Sequence, residues 1–270
     1  MKKVYLFLPS VLMLISFSSC KHRRVGDGEA VRFNDGKLWA LLYQQRAAEY
    51  KALCFQAYNI AKLRLDMAIA KHSDKPFAVI TNIDETLLDN SRYNAANAVQ
   101  NLDFDNSSWK QWTAKGKADT VPGAPSFLKY AASKGVTVFY ITNRGSDEKT
   151  GTLANLKKYD LPFADPGHLL LKQNTLSKEL RRQEVLKTHD VILLCGDNLS
   201  DFDALYENGP SEDRRAAITK KLITAFGNRY IVIPNSSYGG FEDALYDNRS
   251  LTPDQKDSVI IDKIRTNWQQ

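Results

Sequence analysis

Residues 79–90 read Val-Ile-Thr-Asn-Ile-Asp-Glu-Thr-Leu-Leu-Asp-Asn. An apolar run that starts at Phe77 ends at Thr81, and Asn82 opens a polar turn. A run this short, without polar alternation, reads as a strand covered on both faces. Runs 136–142, 191–195 and 230–234 share the pattern, and 168–171 is a weaker fifth. Stretches with helical spacing near 124–134, 147–158, 177–188 and 212–226 separate them. Strand–helix alternation of this kind predicts an α/β fold, a doubly wound parallel sheet. In such sheets ligands collect beyond the carboxyl ends of the strands.

The polar clusters fall at those ends. Asn82, Asp84, Glu85 and Thr86 follow the first run, and Thr142, Asn143 and Arg144 follow the second. Gly196-Asp197-Asn198-Leu199-Ser200-Asp201-Phe202 follows the run at 191–195, and Lys178 opens a helix in Ser177-Lys178-Glu179. If the backbone stays extended through the turn, Glu85 points away from Asp84. Residues 91–121, rich in Asn, Tyr and Trp, interrupt the alternation and read as a small cap inserted into a core of 76–270. Residues 37–75 read as an N-terminal helical extension, one long helix or two in succession, packed on the core. His72, His168 and His189 show no paired ligand spacing and read as structural.

The start of the chain reads as a targeting segment. Lys2 and Lys3 precede an apolar run from Val4 to Ile15, too short to span a membrane stably, and Ser18-Ser19 leads into Cys20. Residues 1–19 are expected to be a lipoprotein signal peptide, with Cys20 lipidated and 20–36 a polar tether. That predicts an exported protein, lipid-anchored to a bacterial membrane. The net charge is +6, or +4 without Lys2 and Lys3. It is spread along the chain, and the tight basic cluster, Lys21-His22-Arg23-Arg24, sits where a membrane surface would lie; a nucleic acid polymer is not expected. Cys54 and Cys195 lie in core-like patterns and are expected to be free thiols.

Several strings, in order and spacing, resemble the haloacid dehalogenase-like (HAD) phosphatases, and within them the class C acid phosphatases, a family of bacterial lipoprotein nucleotidases. They are IDETLLDNS at 83–91, Trp109 with Trp112, VPGA at 121–124, FYITNR at 139–144, LLLKQNTLSKELRR at 169–182, GDNLSDF at 196–202 and PNSSYGGFEDAL at 234–245. The resemblance implies a HAD-like sheet with a helical extension and a small cap. It also implies magnesium-dependent hydrolysis of phosphomonoesters, 5′-nucleotides among them, at acid pH. In that chemistry a carboxylate attacks phosphorus, an acid two residues on protonates the leaving oxygen, and a cation orients the phosphate. Carried across, Asp84 is the acid/base, Thr142 the phosphate-binding hydroxyl and Lys178, rather than Lys172, the phosphate cation. Asn82, Asp84 and Asp197 would hold Mg2+, with Asp201 supporting them from one turn away. Trp109, Asn143 and Tyr238, and less strongly Trp112, would contact the substrate, with Gly239 and Gly240 letting their loop come close.

Asn82 occupies the position of the attacking carboxylate. Its amide oxygen can ligate a cation without a formal charge, but it cannot form the acyl-phosphate. Conversion to Asp is disfavoured by the bulky Ile83 that follows. Three readings stay open: an introduced change in an Asp-bearing phosphatase, a natural binding protein without turnover, or slow hydrolysis through another group. Each predicts strongly reduced turnover with the rest of the site retained; the rival is a non-catalytic nucleotide- or phosphate-binding lipoprotein. Oligomeric state is not legible.

Overall fold

The structure is a computed structural model describing residues 33–174 and 177–265. The expected signal peptide, Cys20 and most of the tether lie outside the described residues. Two helices open the fold, α1 (Phe33–Arg46) and α2 (Ala48–Ile69). They part at Ala47, whose backbone is extended (φ −74°, ψ 133°). Helix α1 begins inside the stretch expected to be tether. A single Gly36 costs a helix only about 1 kcal/mol.

Strand β1 (Phe77–Thr81) leads into the short β2 (Leu88–Asp89). Helices α3 (Ser91–Val99) and α4 (Asn106–Ala114) follow, then β3 (Asp119–Thr120). Beyond these come α5 (Ala124–Ser133), β4 (Thr137–Gly145), α6 (Lys149–Lys158), β5 (Leu169–Lys172) and α7 (Lys178–Thr188). The chain continues through β6 (Asp190–Gly196), α8 (Glu212–Lys221), β7 (Tyr230–Val232), α9 (Gly240–Leu245) and α10 (Pro253–Lys263). The helix expected over 212–226 stops at Lys221. A turn closed by Ala225 N–H on Leu222 O brings Phe226 against Phe202 and Tyr230, and so delivers the chain into β7.

Five strands form one sheet in the order β5-β4-β1-β6-β7, and each neighbouring pair is parallel. This is the α/β fold with helix-flanked parallel sheet that the alternation predicts. Side chains of successive residues enter different cores, as the strand period requires. Val79, Val138, Tyr140 and Leu193 pack with Tyr50, Cys54, Tyr58 and Leu65 of α2. Ala78, Ile80, Phe139 and Leu194 pack with Val185 of α7 and with Phe202. Cys54 and Cys195 are free, buried thiols.

The chain leaves β1 towards β4 on one side and later towards β6 on the other. The crevice between those directions lies at the carboxyl end of β1, where open α/β sheets bind ligands. Residues 91–121 fold as α3 and α4 between β2 and β3, which pair antiparallel, Leu88 with Thr120 and Asp89 with Asp119. Among the described residues no helix is long and apolar enough to cross a membrane.

Candidate active site

The carboxyl ends of β1, β4 and β6 meet around Asn82. Its backbone N–H donates to Cys195 O at 2.9 Å, so the β1–β6 ladder runs one step past β1 and fixes the start of the turn. The side chain then makes three hydrogen bonds. Nδ2 donates to Asp84 O at 2.9 Å and to Asp197 Oδ1 at 2.8 Å, while Oδ1 accepts from Lys178 Nζ at 2.9 Å. Lys178, at the first turn of α7, is buried and also donates to Asp201 Oδ1 at 2.5 Å. Its backbone N–H is capped by Glu207 Oε1 at 2.8 Å.

Asp197 follows β6. Its Oδ1 also accepts from Thr86 Oγ1 at 2.9 Å, and its Oδ2 from Asn235 Nδ2 at 2.9 Å. Burial and the neighbouring Asp201 charge push its carboxyl up to about 6, against the pull of Asn235, Lys178 and Thr86.

The Asp84 carboxylate belongs to a second group. Arg144, at the end of β4 and almost without exposed surface, donates from Nη2 to Asp84 Oδ1 at 2.7 Å and from Nε to Oδ2 at 3.2 Å. Burial alone would favour the neutral guanidinium. The carboxylates of Asp84, first, and Glu148 outweigh it and hold Arg144 above its ordinary value. Asn90 donates to Asp84 Oδ1 at 2.9 Å and accepts from Trp112 Nε1 at 2.8 Å.

Glu85 lies beneath this group. Its φ of +53° lets residues 83–88 turn tightly enough for Leu87 and Leu88 N–H to reach Ile83 O. The backbone is therefore not extended, and the expectation that Glu85 points away from Asp84 fails. The Asn90 amide reaches both carboxyl groups, at 2.9 Å to Asp84 Oδ1 and 3.3 Å to Glu85 Oε2. Tyr238 OH donates to Glu85 Oε2. Full burial, then the charges of Asp84 and Asp197, raise Glu85 well above the carboxylate range.

A cavity of about 810 Å³ opens over these groups. Asn82, Asp84, Asn143, Lys178 and Asp197 line its polar end, and Trp109 and Tyr238 offer aromatic rings. The Trp109 ring packs on Tyr93 (centroids 5.2 Å apart) with Arg144 Cζ 5.7 Å from its own centroid. Asn143 is held by Arg181 Nη2 at 2.9 Å.

Several sequence expectations need correcting. Thr142 has no exposed surface. Its hydroxyl accepts from Arg144 N–H at 3.1 Å and lies 3.5 Å from Asp84 Oδ2, so it braces Asp84 and Arg144 rather than facing a ligand. Asp201 serves Lys178 and the Asn198 N–H (3.0 Å) rather than Asp197, because 199–201 form a tight 3-10 turn. Trp112 braces Asn90 and packs on the core. Asp84 reaches the Asn82–Asp197 corner through its main-chain carbonyl, its carboxylate being held by Arg144. Arg144, Asn90, Thr86, Asn235 and Glu207 received no role from sequence. All but Glu207 stand within the quoted motif strings or one residue from them, and that adjacency was the available signal.

Magnesium asks for oxygen ligands in near-octahedral array. Two oxygens do converge here, Asp84 O and Asp197 Oδ1, but on a hydrogen-bond donor, Asn82 Nδ2. The one side-chain oxygen of Asn82 is turned to Lys178. As they stand, these residues fit a hydrogen-bonded cluster and not the expected Mg2+ site. Among the described residues no group of three or more His, Cys, Asp or Glu is arranged to hold a metal.

A model of the family described as HAD superfamily, subfamily IIIB (Acid phosphatase) matches residues 35–241. A solved class C acid phosphatase from Bacillus anthracis is 39% identical, covers 87% of this chain and 99% of its own, and superposes with a TM-score of 0.82. A structure of the class C acid phosphatase from Bacillus anthracis with tungstate bound is 39% identical over the same shares, with a TM-score of 0.81. The stem 31 kDa glycoprotein of Glycine max is 27% identical over 130 residues, 46% of this chain and 51% of that protein, so the match spans about half its length. The chain belongs to the HAD-superfamily acid phosphatases of subfamily IIIB.

Proposed function

We propose that this protein binds a phosphomonoester, a 5′-nucleotide being the class that suits its cavity, and hydrolyses it far more slowly than an Asp-bearing relative. The observation that carries the reading is the Asn82 side chain. It stands at the carboxyl end of β1, and its single oxygen accepts from Lys178. An amide oxygen has too little basicity to attack phosphorus, and a neutral amide has no second oxygen to offer.

The rest of the cradle supports anion binding. Lys178 supplies a buried cation, and Asn82, Asn143 and Asp84 border the same cavity. The Bacillus anthracis relative that holds tungstate, a tetrahedral oxoanion, agrees with that reading. Trp109 and Tyr238 offer faces on which a base can stack, a contact worth about 1–3 kcal/mol. The volume matches the range of small-molecule sites. In this reading Asp84, held by Arg144 and Asn90, is the acid/base: its carboxylate must first take up a proton before it can pass one to the leaving oxygen. Magnesium dependence is proposed for the Asn82→Asp form, where residue 82 regains a second oxygen and a charge.

The test is a comparison of phosphate release from nucleoside monophosphates by the native chain and Asn82→Asp. The reading expects a gain of several powers of ten, since losing a covalent nucleophile removes about that much. Equal rates would refute it. The reading also places the protein outside the cytoplasm, anchored through Cys20. Cys20→Ala should then release it from the membrane fraction of a bacterial host.

A further inference from the structure

We infer that the Asn82 amide takes the place of a divalent cation in this chain, so that Mg2+ alone does not bind the ligand-free protein. The inference rests on the reading of Asn82 as the residue at the attacking position. An Asp at 82 has two oxygens, enough to accept from Lys178 and still face a cation. Asn82 has one, and Lys178 holds it at 2.9 Å. The other terminus is an NH2 group whose hydrogens point to Asp84 O and Asp197 Oδ1. These are the oxygens a cation at this corner would need.

Turning the amide over does not free the site. Nδ2 would then face the Lys178 ammonium, donor against donor. Oδ1 would face Asp84 O and Asp197 Oδ1, acceptor against two acceptors. The hydrogen bonds fix one orientation. Lys178 cannot easily withdraw, because Asp201 Oδ1 holds it from the other side.

Charge points the same way. Around Asn82 stand two cations, Lys178 and Arg144, each paired with a carboxylate, Asp201 and Asp84 respectively. That leaves Asp197, which already accepts from Asn82, Thr86 and Asn235. Every oxygen at the corner therefore has a donor, and one formal negative charge remains. With Asp at 82 there would be two, with oxygens facing one another and no hydrogen between them. Such an arrangement calls for a cation, whereas this one is satisfied without it.

The experiment is calorimetric titration of MgCl2 into the metal-free native chain, with melting temperature read in parallel. The same titration is run on Asn82→Asp and on Lys178→Met. The native chain should give no binding heat and no shift at millimolar MgCl2. Asn82→Asp should bind at least about 100-fold more tightly, the upper end of the change seen when a metal's surroundings are altered. It should also melt lower without the ion and recover with it. Lys178→Met removes the donor that holds Oδ1, so the amide can turn and Mg2+ affinity should rise above the native value. That variant keeps the test decisive if Asn82→Asp fails to fold. Native binding as tight as that of Asn82→Asp, or no gain in either variant, overturns the inference. Either outcome leaves phosphomonoester binding by the native chain untouched, and that reading fails separately if orthovanadate and AMP do not raise the native melting temperature; no gain in Asn82→Asp also removes the magnesium dependence proposed for that form.

Discussion

Asn90 is fully buried, and three side chains depend on it. It donates to Asp84 Oδ1, accepts from Trp112 Nε1, and serves Glu85 through both its amide and its backbone N–H. Asn90→Ala should lower stability by about 3 kcal/mol, because removing one partner leaves buried polar groups unmatched. Urea denaturation measures it, and a loss within experimental error would show that the network carries no weight. Tyr238→Phe keeps the ring that borders the cavity and removes the OH that meets Glu85. It should cost about 1–3 kcal/mol in the same experiment, while AMP binding measured by calorimetry stays close to native. A large fall in affinity would mean that the hydroxyl, not the ring, meets the ligand. At this scale the sequence was only partly legible. The family resemblance picks out Asp84, Lys178, Asp197 and Asn82, and all four line one cavity. The partition of partners was not legible. Whether Asp201 braces Lys178 or Asp197, and whether Thr142 faces a ligand or Asp84, depends on local turns whose geometry the residue types do not dictate.

Helices α4 and α6 meet where Gly151 faces the end of α4. A Cβ on Gly151 would come within 2.3 Å of Thr113 O and 2.8 Å of Ala114 Cα, both main-chain atoms that cannot swing aside. Thr113 Oγ1 also donates to Glu148 Oε1 at 3.0 Å, tying α4 to the turn that leads into α6. Gly151→Ala should therefore push α4 outward and cost about 1–3 kcal/mol, as overpacking does. Trp109 and Trp112 both lie on α4, so their fluorescence should report the shift before global unfolding. An unchanged spectrum and stability would show that the two helices adjust freely. Elements were the most legible scale. The parallel strands were read from β-branched runs buried on both faces, and the observed ones differ chiefly at their ends, β4 reaching Gly145. The helical pattern runs on to 226 because Leu222, Ala225 and Phe226 continue an apolar spacing, whereas the helix ends at Lys221. Tertiary packing on Phe202 and Tyr230 overrides that pattern.

The described residues form a sheet between two cores, with the site at the sheet's reversal point. Burial in the core raises the Cys54 thiol to about 11 and the Cys195 thiol to about 12. The thiolate is the reactive form, so both should resist iodoacetamide until the domain opens. In a Cys20→Ser chain, labelling should follow the global unfolding curve in urea; modification in the folded baseline would mean that the core opens locally. That the site lies at the carboxyl ends of the strands is legible from the alternation; the strand order β5-β4-β1-β6-β7, which puts the reversal at β1, is not. Nor is the hydrogen-bond pattern that residue 82 adopts there, since an Asn at a strand end is equally at home in a plain turn. The central claim is that the protein binds a phosphomonoester but turns it over slowly, because Asn82 offers an amide oxygen, too weakly basic to attack phosphorus, where a carboxylate would stand. The most direct test is phosphate release from AMP in the presence of MgCl2 by the native chain and by Asn82→Asp. The account predicts a rate near background for the first and several powers of ten more for the second; rapid hydrolysis by the native chain, abolished in Asp84→Ala, would contradict it.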